Sequence, residues 1–511
     1  MRKTVKKLTA VGLTVTSVLG LVACGSSKGT TSQGTSENKE VTKPDTFTVM
    51  CDGTVVTETN GAEAFYKQLN EATGLDIKWT RPDHASYYDA VANAFNSDDT
   101  MPDVVLLSSD YYALYASNGF LWNMTDAWEH SETKNSGRLI STADNVLSAL
   151  MVNGEDGTKA MYGLSLYRGN GCCTYVKKAW LDKAGIDASK VKDVQMDFNT
   201  YYGYLKQMAQ TMGHYVISSP GFIHPEAPNT NYLPEFYQKA QYTFYKDTSG
   251  KYVDGFAQQE MKEALQRIQT AVNDGVIDKE SVNNSTANAR DKFYSTDPST
   301  ETGVFTYWAG TWANTLKTNL ANKGLDDELI AIKPIKELGA YTERIAPCWC
   351  ITSAAKNPEG IFKYFIDKML DGGDVQMLWT HGAKGTHWDD KAETVTVEKK
   401  EDQPKTYTEG QFHYLPGIEK PDQWQTKNHI DPILSIANFT NGYVGESLIP
   451  EVARENGEFF AENSQVAVPL PMTSELSNNI GDINTARTYV IAQVALGYMT
   501  VDEGMDYYNK T

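Results

Sequence analysis

Between Thr46 and Leu107 three short apolar runs alternate with two helical stripes, and this alternation restricts the possible folds more than any other feature of the chain. TFTVM (46 to 50) alternates apolar and polar residues and runs into the turn CDGTV. GAEAFYKQLNEATG then spaces Phe65, Leu69 and Ala72 by four and three residues, a helical stripe closed by Gly74. LDIKW (75 to 79) reads as a second strand, and YYDAVANAFNSDD as a short helix with Val91 and Phe95 on one side. VVLL (104 to 107) is apolar throughout, as a parallel strand buried on both faces must be. Strands separated by helices build an open α/β sheet. Ligands of such sheets lie beyond the carboxyl ends of the strands, here near Asp52 and Gly53 and around SSDYY (108 to 112).

A comparable unit restarts at MYGLSLYRGNGCCTYVKKAWLDKAG, where GLSLY and CCTYV read as strands and AWLDKAG as a helix with a glycine cap. FAQQEMKEALQRIQTAVNDG carries Met261, Leu265, Ile268 and Val272 on one helical face. GVFTYWAG (303 to 310) reads as strand then turn. APCWCITSAAKNPEGIFKYFIDKML gives a strand, a polar turn and a helix with Phe362, Phe365, Ile366, Met369 and Leu370 towards a core. A last helical region begins at INTARTYVIAQVALGYM, and the charged run 391 to 411 reads as a surface excursion. No repeat at solenoid spacing is present.

Ahead of this body, Arg2, Lys3, Lys6 and Lys7 precede an apolar run too short for a bilayer-spanning helix, which needs about 20 residues, and therefore read as a secretory signal. GSSKGTTSQGTSENKEVTKPD, after Cys24, has no aliphatic or aromatic residue before Val41 and cannot offset the entropy of ordering it, so it reads as a tether. The formal net charge is -19. Loss of the four leading basic residues makes the mature chain more acidic still, which argues against nucleic acid or an anionic membrane surface as a partner. The length and the 41% hydrophobic content suit two or three lobes.

LVAC (21 to 24), DDTMPDVVLLSS (98 to 109), GLSLY (163 to 167), AWLDKAGID, GKYVDGF (250 to 256), EALQRIQTAVNDGVIDKE (263 to 280) and WTHGAKGTHW (379 to 388) occur in that order. In this order and spacing the chain resembles the extracellular solute-binding lipoproteins of ABC transporters in Gram-positive bacteria, in particular their large oligosaccharide-binding branch. The resemblance implies an α/β, two-lobed, periplasmic-binding-protein-like fold with a hinge and an interlobe cleft. It implies a signal peptide over 1–23, acylation (palmitate or a similar chain) of Cys24, and a tether over 24–43. Lobe one is then expected over 44–162 and again over 346–511, with the C-terminal helices shared, and lobe two over 163–345. Such a protein, expected as a monomer held by lipid at the outer face of the cell membrane, delivers sugar to permease subunits driven by a separate ATPase. No Walker segment occurs in this chain.

Pyranose rings present C–H faces that aromatic side chains cover and hydroxyl rims that polar groups bond. Trp79 and Trp180 sit in a strand and a helix and read as core. Tyr307, Trp308 and Trp312 follow an apolar strand around Gly310, and serve either as stacking platforms or as packing between lobes. Trp349 in PCWCI lies at the second crossing, where alternation puts the two cysteines on one strand face and the indole on the other. Trp379, His387 and Trp388 come from a glycine-containing segment similar to the family's glycine-rich loop, and are expected to face ligand. Asp110 and Arg168 follow strands at rim positions or form surface ion pairs, and Asp52 either meets ligand or stabilises its turn. Arg344 either binds a ligand carboxylate or pairs across the hinge, and the second is preferred.

The alternative function is a surface-attached carbohydrate-active hydrolase or lyase. It lacks support from any G-x-S-x-G elbow, H-E-x-x-H helix or G-x-G-x-x-G turn, so no catalytic residue and no cofactor is assigned. DTSGKYVDG misses the calcium-loop spacing, and the cysteines match neither a disulfide framework nor a zinc box. No metal is expected. A plant β-linked oligosaccharide is the preferred ligand.

Overall fold

The computed structural model describes residues 41–53, 61–83, 86–137, 139, 147–148, 150–165, 169–223, 230–247, 249–325, 327–395, 405–415, 451–467 and 474–511. The signal segment, Cys24, most of the tether and Arg168 lie outside the described residues. The described residues fold as two lobes, each built on its own sheet.

In lobe one the strands Asp76–Thr80, Thr46–Met50 and Val104–Leu107 are parallel neighbours in that order. Val49 sits opposite both Trp79 and Val104. Cys348–Ile351 and Gly163–Leu164 extend the sheet in the antiparallel sense. The helix Ala62–Thr73 buries Ala62, Phe65 and Leu69, one turn earlier than the Phe65–Leu69–Ala72 stripe read from the sequence, and leaves Ala72 exposed. The segment Pro358–Leu370 winds as α, then π, then 3₁₀ helix instead of one regular helix, and still buries Phe362, Phe365, Ile366, Met369 and Leu370. A π turn shifts the angular phase of a helix, which lets so wide an apolar set reach one core.

In lobe two the strands of the sheet, ordered Val304–Trp308, Cys172–Lys177, Leu329–Ala331, pair antiparallel, and Ile217 adds an isolated parallel bridge to Val304. One face packs Val176 and Val304 against Leu265 and Ile268 of the helix Gln259–Asn273, and the other packs Cys173, Tyr175, Phe305 and Tyr307 against Phe460. Trp180 is fully buried, its indole N–H donating to Glu301 Oε1 at 3.0 Å. The helices Ser474–Ala495 and Val501–Lys510 send Val490, Ile491, Val494 and Met505 into this lobe's core. The C-terminal helices, expected to be shared between the lobes, thus satisfy this apolar stripe in lobe two.

Between the lobes, backbone lies on backbone. Arg344 N–H donates to Asn170 O at 3.1 Å, and a β-carbon on Gly169 would fall 1.5 Å from Arg344 O. One on Gly171 would fall 2.1 Å from Thr342 O, so both positions require glycine. Tyr341–Glu343 also pairs in parallel with Ser464–Val466, and Ala467 N–H donates to Glu343 O at 2.8 Å. Three segments thus run side by side where the lobes join.

Candidate ligand-binding surfaces

In lobe one the chain remains paired beyond its strands. Cys51 N–H donates to Thr80 O at 3.1 Å and Gly53 N–H to Pro82 O at 2.9 Å, which holds Asp52 and Arg81 at the sheet's carboxyl edge. Tyr87 donates its hydroxyl proton to Leu106 O at 2.7 Å from a buried position. Its neighbour Tyr88 therefore emerges at the edge, where its hydroxyl accepts from Ser108 N–H at 2.8 Å. The Tyr88 ring stacks on Tyr111, centroids 3.7 Å apart and 5° from parallel. Both rings are half-buried, and the charge of Asp52 acts on Tyr88. Arg81 lies over the Tyr66 ring at 5.3 Å, and Tyr66 leans on Trp79 at 4.8 Å. Asp110 is in the first turn of the helix Ser109–Ser117; the position of its side chain lies outside the described residues.

In lobe two the Val304–Trp308 strand ends at Gly310, whose φ of 68° marks the turn into the helix Thr311–Asn322. Gly310 N–H donates to Asn456 Oδ1 at 2.7 Å, and Tyr175 donates to the same oxygen and to Trp308 O. This fixes the turn from both sides. Trp308 and Trp312 are left half-buried, while Tyr307 is buried between them and the core. Tyr307 meets Trp312 edge to face at 4.9 Å and accepts a hydrogen bond from Arg290 Nη1 at 2.6 Å. The Arg290 guanidinium lies 5.2 Å over Trp312, and that of Arg344 lies 4.6 Å over Trp308. Arg344 makes no ion pair among the described residues and covers an indole.

The remaining aromatic positions lie inside lobe one. Trp349 is in the middle of its sheet, in edge contact with Phe365 and Trp379, and Cys348 and Cys350 are buried as well, because helices cover both sheet faces. Trp379 is in the helix Asp374–His381, buried against Phe65, with an indole N–H that has no hydrogen-bond partner among the described residues. His387 is buried and its Nδ1 accepts from Ala383 N–H at 2.7 Å. Trp388 forms a short strand with Tyr414, stacks on Phe412 at 5.1 Å and donates its indole N–H to Gly382 O at 2.8 Å. WTHGAKGTHW is thus half helix and half inward-facing turn, not an open loop. Burial lowers the pKa of His381 to about 3, which keeps that ring neutral at physiological pH.

The structure accordingly brings Tyr307, Trp308 and Trp312 together, sets Asp52 beside Tyr88, and separates both groups from the buried Trp349, Trp379, His387 and Trp388. Tyr88, Tyr111 and Arg290 were not selected from the sequence. The doubled tyrosines of SSDYY and YYDAV were the available signal, since one ring of each pair turns to the core and one to the strand ends. The described cysteines are buried, and Cys51 is pushed up to about 12 by desolvation. No cluster of metal-ligating side chains occurs among the described residues.

No family model matches this chain, and no curated protein matches its sequence. Solved structures do match in fold. An extracellular solute-binding protein from Bifidobacterium longum subsp. infantis aligns with a TM-score of 0.60 at 14% identity over 91% of this chain and 94% of its own. The N-glycan transport solute binding protein (NgtS) from Streptococcus pneumoniae aligns with a TM-score of 0.57 at 16% identity, over 92% and 95%. An HMO binding ABC-transporter associated solute binding protein from Bifidobacterium longum infantis aligns with a TM-score of 0.56 at 14% identity, over 91% and 95%. Over nine-tenths of its length the chain shares the two-lobed, mixed α/β fold of these solved structures.

Proposed function

We propose that this chain captures an extracellular oligosaccharide in a cleft between its lobes and delivers it to the permease of an ABC importer, without turnover. The supporting observation is the aromatic surface left half-buried at strand ends in both lobes, Tyr88 with Tyr111 in one and Trp308 with Trp312 in the other. Flat rings suit the C–H faces of pyranoses, and the phenol, carboxylate and guanidinium groups around them suit the hydroxyl rims. That NgtS is an N-glycan transport protein and the bifidobacterial relative an HMO binding protein agrees with a sugar cargo. Cys24, acylated, is proposed to hold the protein at the outer face of a Gram-positive membrane, and a plant β-linked oligosaccharide is the proposed cargo.

Closure requires that ligand bind the closed arrangement more tightly than the open one, with the three joining segments absorbing the backbone change. The test is calorimetry with xylo-, manno-, galacturono- and human-milk-type oligosaccharides, monosaccharides and peptides, with chromatography of the mixtures afterwards. Saturable binding of an oligosaccharide recovered intact is the expected result. Catalytic release of shorter products, or tight binding restricted to monosaccharides or peptides, would overturn the proposal.

A further inference from the structure

The sequence holds 65 Asp and Glu against 46 Lys and Arg. Among the described arginines Arg454 pairs with Glu458 and Arg487 with Asp254, while Arg267 makes no ion pair and donates from Nε to Phe236 O at 2.7 Å. Arg290 and Arg344 have no such partner: among the described residues no carboxylate lies within 4.0 Å of either guanidinium. Arg290 spends one N–H on Tyr307, and the Arg344 guanidinium donates no hydrogen bond there. A carboxylate was close at hand, because Glu343 precedes Arg344, yet Glu343 is buried and accepts from Ser464 Oγ at 3.0 Å.

Both unpaired guanidinium groups flank the one turn at Gly310, and each lies over one of its two tryptophans. The positive groups lie on aromatic faces, with most of their donor fork unspent among the described residues. The charge of Arg290 also acts on Tyr307. A guanidinium stays protonated at every physiological pH, so this turn carries a standing positive charge that no carboxylate of the described residues pairs with.

We infer that the cargo is an acidic oligosaccharide whose carboxylate is received by Arg290 and Arg344 while its rings rest beside Trp308 and Trp312. The inference rests on the oligosaccharide reading above and narrows it to sugars containing a uronic or sialic acid. The carboxylate accepts two parallel N–H bonds from a guanidinium, a geometry that no sugar hydroxyl reproduces.

The test is calorimetry on the full chain with trigalacturonate, a glucuronate-bearing xylo-oligosaccharide and sialyllactose, each beside its methyl ester, together with neutral xylo- and manno-oligosaccharides. Esterification removes the charge and nearly preserves shape. At least one free acid is expected to bind about tenfold or more tightly than its ester, the size of a charged hydrogen bond. Arg290→Gln and Arg344→Gln should each shrink that ratio several-fold, with Arg290→Lys retaining part of it and the thermal melt of all three near wild type. Should esters or neutral sugars bind as well as the acids, the inference falls and the oligosaccharide reading stands. If the Gln variants leave the acid-to-ester ratio intact, these two arginines are not the receptors. Should no sugar of any kind bind, the oligosaccharide reading itself falls.

Discussion

Glu235 offers a quantitative test of the packing in lobe two. It is fully buried, and one carboxyl oxygen accepts from Thr174 Oγ1 at 2.7 Å and from the Tyr341 hydroxyl at 3.3 Å. Burial outweighs these bonds and raises its pKa from 4.5 to about 7. The titratable groups near it, Cys173, Tyr201 and Tyr341, are all raised by burial and stay neutral over the range of interest. Below pH 4.5 the carboxyl is protonated in both the folded and unfolded chain. Between 4.5 and 7 the unfolded chain loses the proton and the folded one keeps it, so folding loses stability as pH rises through this window. Above it the loss is complete, and at about 1.4 kcal/mol per pH unit it amounts to roughly 3 kcal/mol. Glu235→Gln removes the titration and keeps the shape. Urea melts followed by fluorescence between pH 4 and 8 should show the variant close to wild type at the acid end and about 3 kcal/mol more stable at the alkaline end. Taking the difference between the two proteins cancels every other carboxylate. Parallel stability curves would refute the argument, since they would mean that Glu235 ionises as easily in the folded lobe as in water.

Three further outcomes follow from the geometry. Trp388→Ala should lower the denaturation free energy by about 3 to 5 kcal/mol, because it empties a buried site, whereas Trp308→Ala should leave the melt nearly unchanged and cost about 2 kcal/mol of oligosaccharide affinity. Denaturant melts paired with binding titrations separate the two, and the opposite assignment would move the ligand to the 379–388 segment. Gly169→Ala drives a methyl group into the Arg344 carbonyl and should lower the melting temperature and alter the radius seen by small-angle scattering; an unchanged melt and profile would show that the joining segments are not in contact in solution. Cys24→Ala should release the protein from the membrane fraction into the medium, and retention there would refute acyl anchorage.

Local periodicity made sheet one and the helix Gln259–Asn273 legible, because each strand and stripe completes its pattern within about ten residues. Sheet two was harder to read. Cys172–Lys177 and Val304–Trp308 pair across more than a hundred residues, and a short apolar strand carries no mark of its partner's direction. The same limit hid the inward turn of Trp388, whose stacking partner Phe412 arrives from the far side of the charged excursion. Among the aromatics, sequence identified the residue type that stacks on sugars but not which rings remain available, since Trp308 and Trp349 both follow apolar neighbours and differ only in what later segments lay over them. Tyr88 and Tyr111 come from separate helices and become a platform only when the strands between them are in register.

The two ends of the folded body are fastened to different lobes. At the amino end Asn357 Nδ2 donates to Thr42 O at 3.0 Å and Tyr364 donates to Val41 O at 3.4 Å, both from lobe one, while the Val501–Lys510 helix closes the chain in lobe two. The polypeptide therefore passes between lobes an odd number of times. If the chain is anchored through its amino-terminal segment as proposed above, tension entering there is borne by lobe one, and lobe two is the part that would swing. Under the proposed closure, a fluorophore joined after Thr511 should then move relative to one placed near Val41 when oligosaccharide is added.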